Sequence, residues 1–209
     1  WRDWSSDVCS SDLLLTAAGA VTGLAVTGSG WAQSTPIKLG GTVPLTGGNA
    51  SIGKVAQATM QIWLEDINKN GGLLGRKVEL VIYDDQTNPT LIPGLYTKLI
   101  DVDKVDVLIG TGTNLIAPAM PLVIERKKLM VANLALAVND PFNYDKYFQL
   151  MAYGPDGKSE LAKGFFEVAA KLNPRPSTVA LVGADAEFAN NALEGAREHV
   201  KRLGMRIVY

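Results

Sequence analysis

The sequence predicts an α/β fold built on a doubly wound parallel sheet, and three observations carry that prediction. Apolar runs of strand length alternate with segments of helical period from Ile37 to Tyr209. Candidate strands such as Val78-Glu-Leu-Val-Ile-Tyr83 are apolar on both faces, as parallel strands covered on both sides are. Turns rich in Gly, Asn and Asp follow these strands, where the loops of βα units belong. Right-handed crossovers then make the doubly wound sheet the default arrangement.

Ile37–Val43 reads as the first strand, followed by a Gly-rich loop from Pro44 to Gly53. Ala56, Met60, Leu64 and Ile67 recur at helical spacing and give the next segment one apolar stripe. Asn70-Gly71-Gly72 stops that helix with residues that tolerate positive φ. Val78–Tyr83 is the second strand, Asp84–Pro89 a turn, and Leu91–Val102 a helix. Val105–Ile109 is a buried strand that passes through Gly110–Asn114 into a helix over Leu115–Lys127. Leu129–Val131 is a short strand, Ala132–Asn139 a loop, and Tyr147–Leu150 a further strand. Pro155-Asp156-Gly157 opens a helix over Lys158–Leu172. Strand Thr178–Val182, helix Glu187–Arg202 and a strand from Arg206 complete the series. Ligands in such sheets bind beyond the carboxyl ends of the strands. The candidate loops are therefore Pro44–Gly53, Asp84–Asn88, Gly110–Asn114, Ala132–Asn139 and Gly183–Glu187.

Composition narrows the class. Of 209 residues, 47% are hydrophobic and 20% charged, which gives enough apolar side chain for a core and excludes disorder as the dominant state. The net charge of −1 lacks the basic excess that nucleic-acid binding requires. One Cys and one His exclude a disulfide framework and a Cys/His zinc cluster.

The first 33 residues read differently from the rest. Asp3–Leu13, DWSSDVCSSDL, resembles the conceptual translation of a common sequencing adapter, so residues 1–13 are set apart from the fold. One of the 20 basic and three of the 21 acidic residues fall there with Cys9, leaving a net charge of about +1 and no cysteine. Leu14–Gln33 is uncharged, rich in Ala, Gly and Thr, and ends in a small-x-small pattern at Gly30-Trp31-Ala32. It reads as an export signal cleaved near Ala32/Gln33, with a mature chain that has no stable membrane insertion.

Two loops stand out as sites. Gly48-Asn-Ala-Ser-Ile-Gly53-Lys54-Val55 approaches a phosphate loop, but Val55 has no hydroxyl for Mg²⁺. The preferred reading is a loop whose backbone N–H groups and Ser51 hydroxyl face a small ligand. In Gly110-Thr-Gly-Thr-Asn114, Thr113 or Asn114 either caps the following helix or holds a ligand carboxylate. Asp84 and Asp85 read as turn caps, because adjacent strand residues point opposite ways. His199, among Arg197, Lys201 and Arg202, reads as a solvated surface residue. Tyr144, Tyr147 and Phe148 read as core first and cleft lining second. No catalytic constellation, metal site or cofactor motif emerges.

The order of these pieces resembles the type I periplasmic solute-binding proteins of the branched-chain amino acid (Leu/Ile/Val-type) ABC transporter family. Gly41-Thr-Val-Pro-Leu-Thr-Gly47, Asp66-Ile-Asn-Lys-Asn-Gly-Gly72, Leu74-Gly75-Arg76, Val78–Asp85 with Asn88-Pro89, Leu108–Pro118, Leu129–Ala137 and Phe188 carry the resemblance. It implies two doubly wound lobes joined by a hinge, lobe one over 34–152 and lobe two over 153–209, each incomplete in this chain. It also implies that the third helix binds the ligand carboxylate through Asn114, with Thr113 beside it. The loop after the fourth strand would add Leu134, Ala135 and Leu136. The aromatic lid of lobe two would be Phe188, and Ile52 would take the lid-like place in the first loop. The expected protein is a monomeric, periplasmic, non-enzymatic component of an ABC importer. It captures an amino acid or related carboxylate or amide for an inner-membrane ABC permease, with no cofactor. A ligand-sensing domain of a receptor or regulator on the same scaffold is the alternative, and an α/β enzyme with an incomplete phosphate loop the third reading.

Overall fold

The structure is a computed structural model and describes residues 35–209. The segments read as adapter-derived (1–13) and as export signal (14–33), with the cleavage point, lie outside the described residues.

The first strand, β1 (Ile37–Val43), pairs in parallel with β2 (Val78–Asp84) on one side and with β3 (Val107–Thr111) on the other. Strands β4 (Leu129–Asn133) and β5 (Tyr147–Gln149) extend the sheet in the order β2-β1-β3-β4-β5. One face of β1 and β2 is covered by α1 (Ala50–Lys69), whose Leu64 and Ile67 pack on Ile37, Leu39 and Val78. The opposite face carries α2 (Ile92–Thr97), α3 (Thr113–Ile116) and α4 (Met120–Glu125) over the main core, where Tyr96, Leu99, Leu108, Ile116, Met120 and Met130 are fully buried. Helices on both faces of one parallel sheet make the doubly wound arrangement that the sequence predicts.

Prolines explain why two predicted helices are fragmented. The run expected over Leu91–Val102 is a 3-10 turn at Pro89–Leu91, then α2, then a π turn at Lys98–Val102. The run expected over Leu115–Lys127 is α3, a 3-10 turn at Ala117–Ala119, and α4. Pro93, Pro118 and Pro121 each sit at the start of a segment, where a missing N–H breaks no internal bond, so the helix restarts at each one. The third strand lies two residues later than expected. The amide of Val105 is spent on the carbonyl of Leu99 and that of Asp106 on Lys38, so Val105 is buried in the approach to β3. In turn β4 runs on to Asn133, because Ala132 and Asn133 pair with Gly110 and Thr111.

Beyond β5 the chain forms α5 (Gly157–Lys171) and α6 (Glu187–Arg202), with β6 (Thr178–Val179) and β7 (Arg206–Ile207) paired in parallel. Asp156 caps α5, its Oδ1 accepting from Ser159 N at 3.2 Å, in line with the expected helix start. The two helices meet at Gly195, where an added Cβ would lie 1.9 Å from the Lys158 carbonyl oxygen. His199 is corrected from surface to core. It is 3% exposed and stacks on Phe166, and its Nε2–H donates to Ser159 O at 2.8 Å. Arg202 donates to Nδ1 at 2.8 Å, so the surrounding basic residues reach solvent while the ring lies on the face of Ala196 and Val200.

Candidate functional site

In the order β2-β1-β3-β4-β5 the winding direction reverses between β1 and β3, and ligand crevices form at the carboxyl ends of strands flanking such a reversal. The loop after β1 is held rigid there by the acidic turn after β2. Asp84 Oδ1 accepts from Leu45 N at 2.8 Å and Thr46 N at 3.1 Å, and its Oδ2 accepts from the Thr46 hydroxyl at 2.6 Å. The Thr87 hydroxyl donates to Thr46 O and accepts from Asn49 N. The Thr46 hydroxyl bond and these backbone donors hold the Asp84 carboxyl below the ordinary range. Asp85 Oδ1 caps Thr87 N, whereas its Oδ2 is buried with no partner, and burial raises this carboxyl. The two carboxylates therefore do separate structural work, as expected of turn caps.

That clamp also bears on the phosphate-loop reading. Several amides that would face a phosphate are already spent, Leu45 and Thr46 on Asp84, Asn49 on Thr87, Ala50 on Gly47 and Gly53 on Asn49. Gly53 is required for a different reason, since a Cβ there would sit 2.0 Å from the Pro44 carbonyl oxygen. Glycine lets α1 start against the end of β1.

The β3–α3 corner is where the sequence-predicted residues converge. Gly112, with φ 89°, is the N-cap of α3 and has no side chain to cap with. Neither Thr113 nor Asn114 caps its own helix. Thr113 is buried, and its hydroxyl accepts from Leu136 N at 2.8 Å, tying α3 to the loop after β4. Asn114 reaches to α6, its Oδ1 accepting from Phe188 N at 2.9 Å. Leu136 is buried and offers its carbonyl to Asn191 Nδ2 at 3.0 Å. The Ala135 carbonyl accepts from Gln149 Nε2 at 2.6 Å, while Leu134, at φ 51°, leaves its side chain partly exposed. Ser51 and Ile52 are exposed on the first turn of α1, and no hydrogen bond joins them to this group. Phe188 is 41% exposed, as a side chain at a cleft mouth would be.

Two participants escaped the sequence reading. Asn191 and Gln149 bind carbonyls of the β4 loop from segments remote in sequence, and no local pattern marks them. Gln149 also accepts from the Tyr147 hydroxyl at 2.9 Å, and both border a cavity of about 470 Å³ with Ala135, Val138, Asn139 and Tyr153. Burial pushes the Tyr147 phenol up, and Asp140, which also borders the cavity, adds to the rise, so the phenol stays protonated. Tyr144 and Tyr147 pack against the main core, and Phe148 is half exposed.

A parallel sheet with its polar side chains gathered at the loops of one edge defines a ligand-binding α/β scaffold. The chain belongs to the periplasmic binding protein family, whose model matches residues 36–209. It is 33% identical over 102 residues to the Leu/Ile/Val-binding protein BraC3 of Rhizobium johnstonii, covering 48% of this chain and 28% of that protein. It is also 33% identical over 124 residues to the leucine-, isoleucine-, valine-, threonine- and alanine-binding protein of Pseudomonas aeruginosa, covering 59% of this chain and 32% of that one. Among solved structures it resembles a solute-binding protein of an ABC transporter from Rhodopseudomonas palustris BisB5 in complex with 3,4-dihydroxybenzoic acid. The TM-score is 0.68 at 25% identity, over 83% of this chain and 46% of that one. A branched-chain amino acid ABC transporter protein from Thermus thermophilus with bound valine shares the fold, with a TM-score of 0.71 at 23% identity over 83% and 44% of the chains. The matches thus span about a third or less of these curated relatives and under half of these solved chains. No helix among the described residues is long and apolar enough to cross a membrane.

Proposed function

We propose that the protein is the periplasmic substrate-binding component of an ABC importer and acts by capture and release, without catalysing a reaction. Residues 34–152 form most of one lobe and 153–209 the beginning of a second, with the ligand held between them. The observation that carries this reading is the meeting of the β3–α3 corner with the start of α6, where Asn114, Leu136, Phe188 and Asn191 come together at the winding reversal. Ser51 and Ile52 contribute at the rim from the first turn of α1, and Leu134 and Ala135 from the loop after β4.

The site chemistry favours an apolar carboxylate over a polar α-amino acid. The Thr113 hydroxyl is buried and accepts from Leu136 N, which leaves only its O–H to donate, and Leu136 and Phe188 bring no hydroxyl of their own. Asn114 Nδ2 remains as a donor for a carboxylate or amide oxygen. The dihydroxybenzoate complex of the Rhodopseudomonas relative supports a small aromatic or branched acid as the substrate class. The delivered solute passes to an inner-membrane permease.

Thermal unfolding of the protein should be followed against leucine, valine, aliphatic amides, urea, benzoate and 3,4-dihydroxybenzoate. A true ligand present at a hundred times its Kd stabilises by about 2.7 kcal/mol. We expect at least one acid to do so and the amides less. A panel with no stabilising member, confirmed by calorimetry, overturns the reading.

A further inference from the structure

We propose that Asn114 is a clasp between the two lobes, capping α6 from across the cleft and so setting how far the lobes close before a ligand arrives. The inference rests on the two-lobe reading above. Helix α6 begins after Ala186, whose methyl side chain can accept no hydrogen bond, so the first-turn amides lack a cap from their own segment. Phe188 N finds its acceptor in Asn114 Oδ1 at 2.9 Å, 74 residues earlier in the chain. Asparagine is among the best N-capping residues, yet Asn114 leaves its own helix to Gly112 and serves α6 instead.

A second bond reinforces the first. Asn191, one turn into α6, donates to the Leu136 carbonyl at 3.0 Å. The N-terminal turn of α6 is thus fastened to both the third-helix corner and the loop after β4. Both fastenings lie where water could replace them, since Asn114 and Asn191 are only half buried and Phe188 is exposed. Opening the cleft exchanges each bond for hydration, so the clasp biases the lobes without locking them. It also fixes the carboxamide, because an amide N–H can meet only the oxygen side of Asn114.

The test is ligand-free. In the chain from Gln33 onward, which has no cysteine, dyes on Lys69→Cys in the first lobe and Lys171→Cys in the second report the distance between lobes by single-molecule energy transfer. The protein is stripped of ligand by unfolding and refolding. The native sequence should populate a closed state. Asn114→Ala should lower the closed-to-open ratio by about fivefold, as expected for the loss of one N-terminal cap. Asn114→Asp should keep or increase closure, because a carboxylate accepts the same bond and suits the positive end of a helix. Asn191→Ala removes the other bond and should also open the lobes. Unchanged distances in Asn114→Ala, or opening by Asn114→Asp equal to that of Asn114→Ala, overturn the clasp, whatever Asn191→Ala does. Because no ligand is present, a failed ligand panel leaves this result standing, and a failed clasp leaves the panel untouched.

Discussion

The core beneath β3 and β4 and the core between α5 and α6 are held by different means. In the first, α2, α3 and α4 bury a continuous group from Ile92 to Met130 against the sheet, and Thr113 and Tyr96 supply polar ties. In the second, Phe166, Ala196 and Val200 make a small cluster, and much of the remaining fit is the approach at Gly195 and the ring of His199. Phe165, Val168 and Val182 are exposed beside it, each at more than 60%. A deep apolar core tolerates local change and fails globally. A shallow one depends on a few exact contacts and should open on its own.

The comparison can be broken from either side. The largest loss is expected for Leu108→Ala, which empties a fully buried position of the main core and should cost about 2–5 kcal/mol. Hydrogen exchange should then accelerate in every element of the sheet. Gly195→Val should cost about 1–3 kcal/mol by forcing a side chain into the Lys158 carbonyl. Here faster exchange should be confined to α5, α6, β6 and β7. Equal acceleration in β1–β4 would show that the two cores unfold as one. His199→Ala should cost about 1–3 kcal/mol by leaving Ser159 and Arg202 without their ring partner, again with exchange confined to the helix pair.

The smallest effect concerns Asp85 and carries a pH signature. Burial raises this carboxyl, so the folded state favours its protonated form. That preference is fully present below the ordinary carboxylate range and is lost as the pH rises through the raised value, leaving a charge that costs stability at neutral pH. Asp85→Asn should therefore raise the melting temperature at pH 7 by roughly 2–4 °C, and the gain should fade as the medium is acidified below the carboxylate range. A gain independent of pH would assign the effect to packing and not to charge.

What the sequence discloses follows the locality of each signal. The extent of β1 and of α6, and the opening of α5 at Pro155-Asp156-Gly157, are written in neighbouring residues and legible there. The helix breaks were equally local, because Pro93, Pro118 and Pro121 announce them, but a period count over apolar residues passes across prolines. The burial of His199 is not written in its charged neighbours but in its spacing from Ala196 and Gly195, which puts it on the packed face of α6. Thr113 and Asn114 were legible as polar groups at a strand exit, yet their partners, Leu136 and Phe188, lie 23 and 74 residues away. Only the fold brings such pairs together.

The contact between Asn114 and Phe188 also has a place in time. A helix capped by its own neighbour can complete its first turn as soon as that segment collapses. The Phe188 amide of α6 has no such neighbour, because its acceptor belongs to a corner that exists only after β3 has paired with β1 and β4. Long-range contacts form late, since the chain between them must first be ordered. During synthesis or refolding, the α6 amides at Phe188 and its neighbours should be among the last to gain protection. On the clasp proposed above, the bond that governs closing is also the one that completes the cleft last.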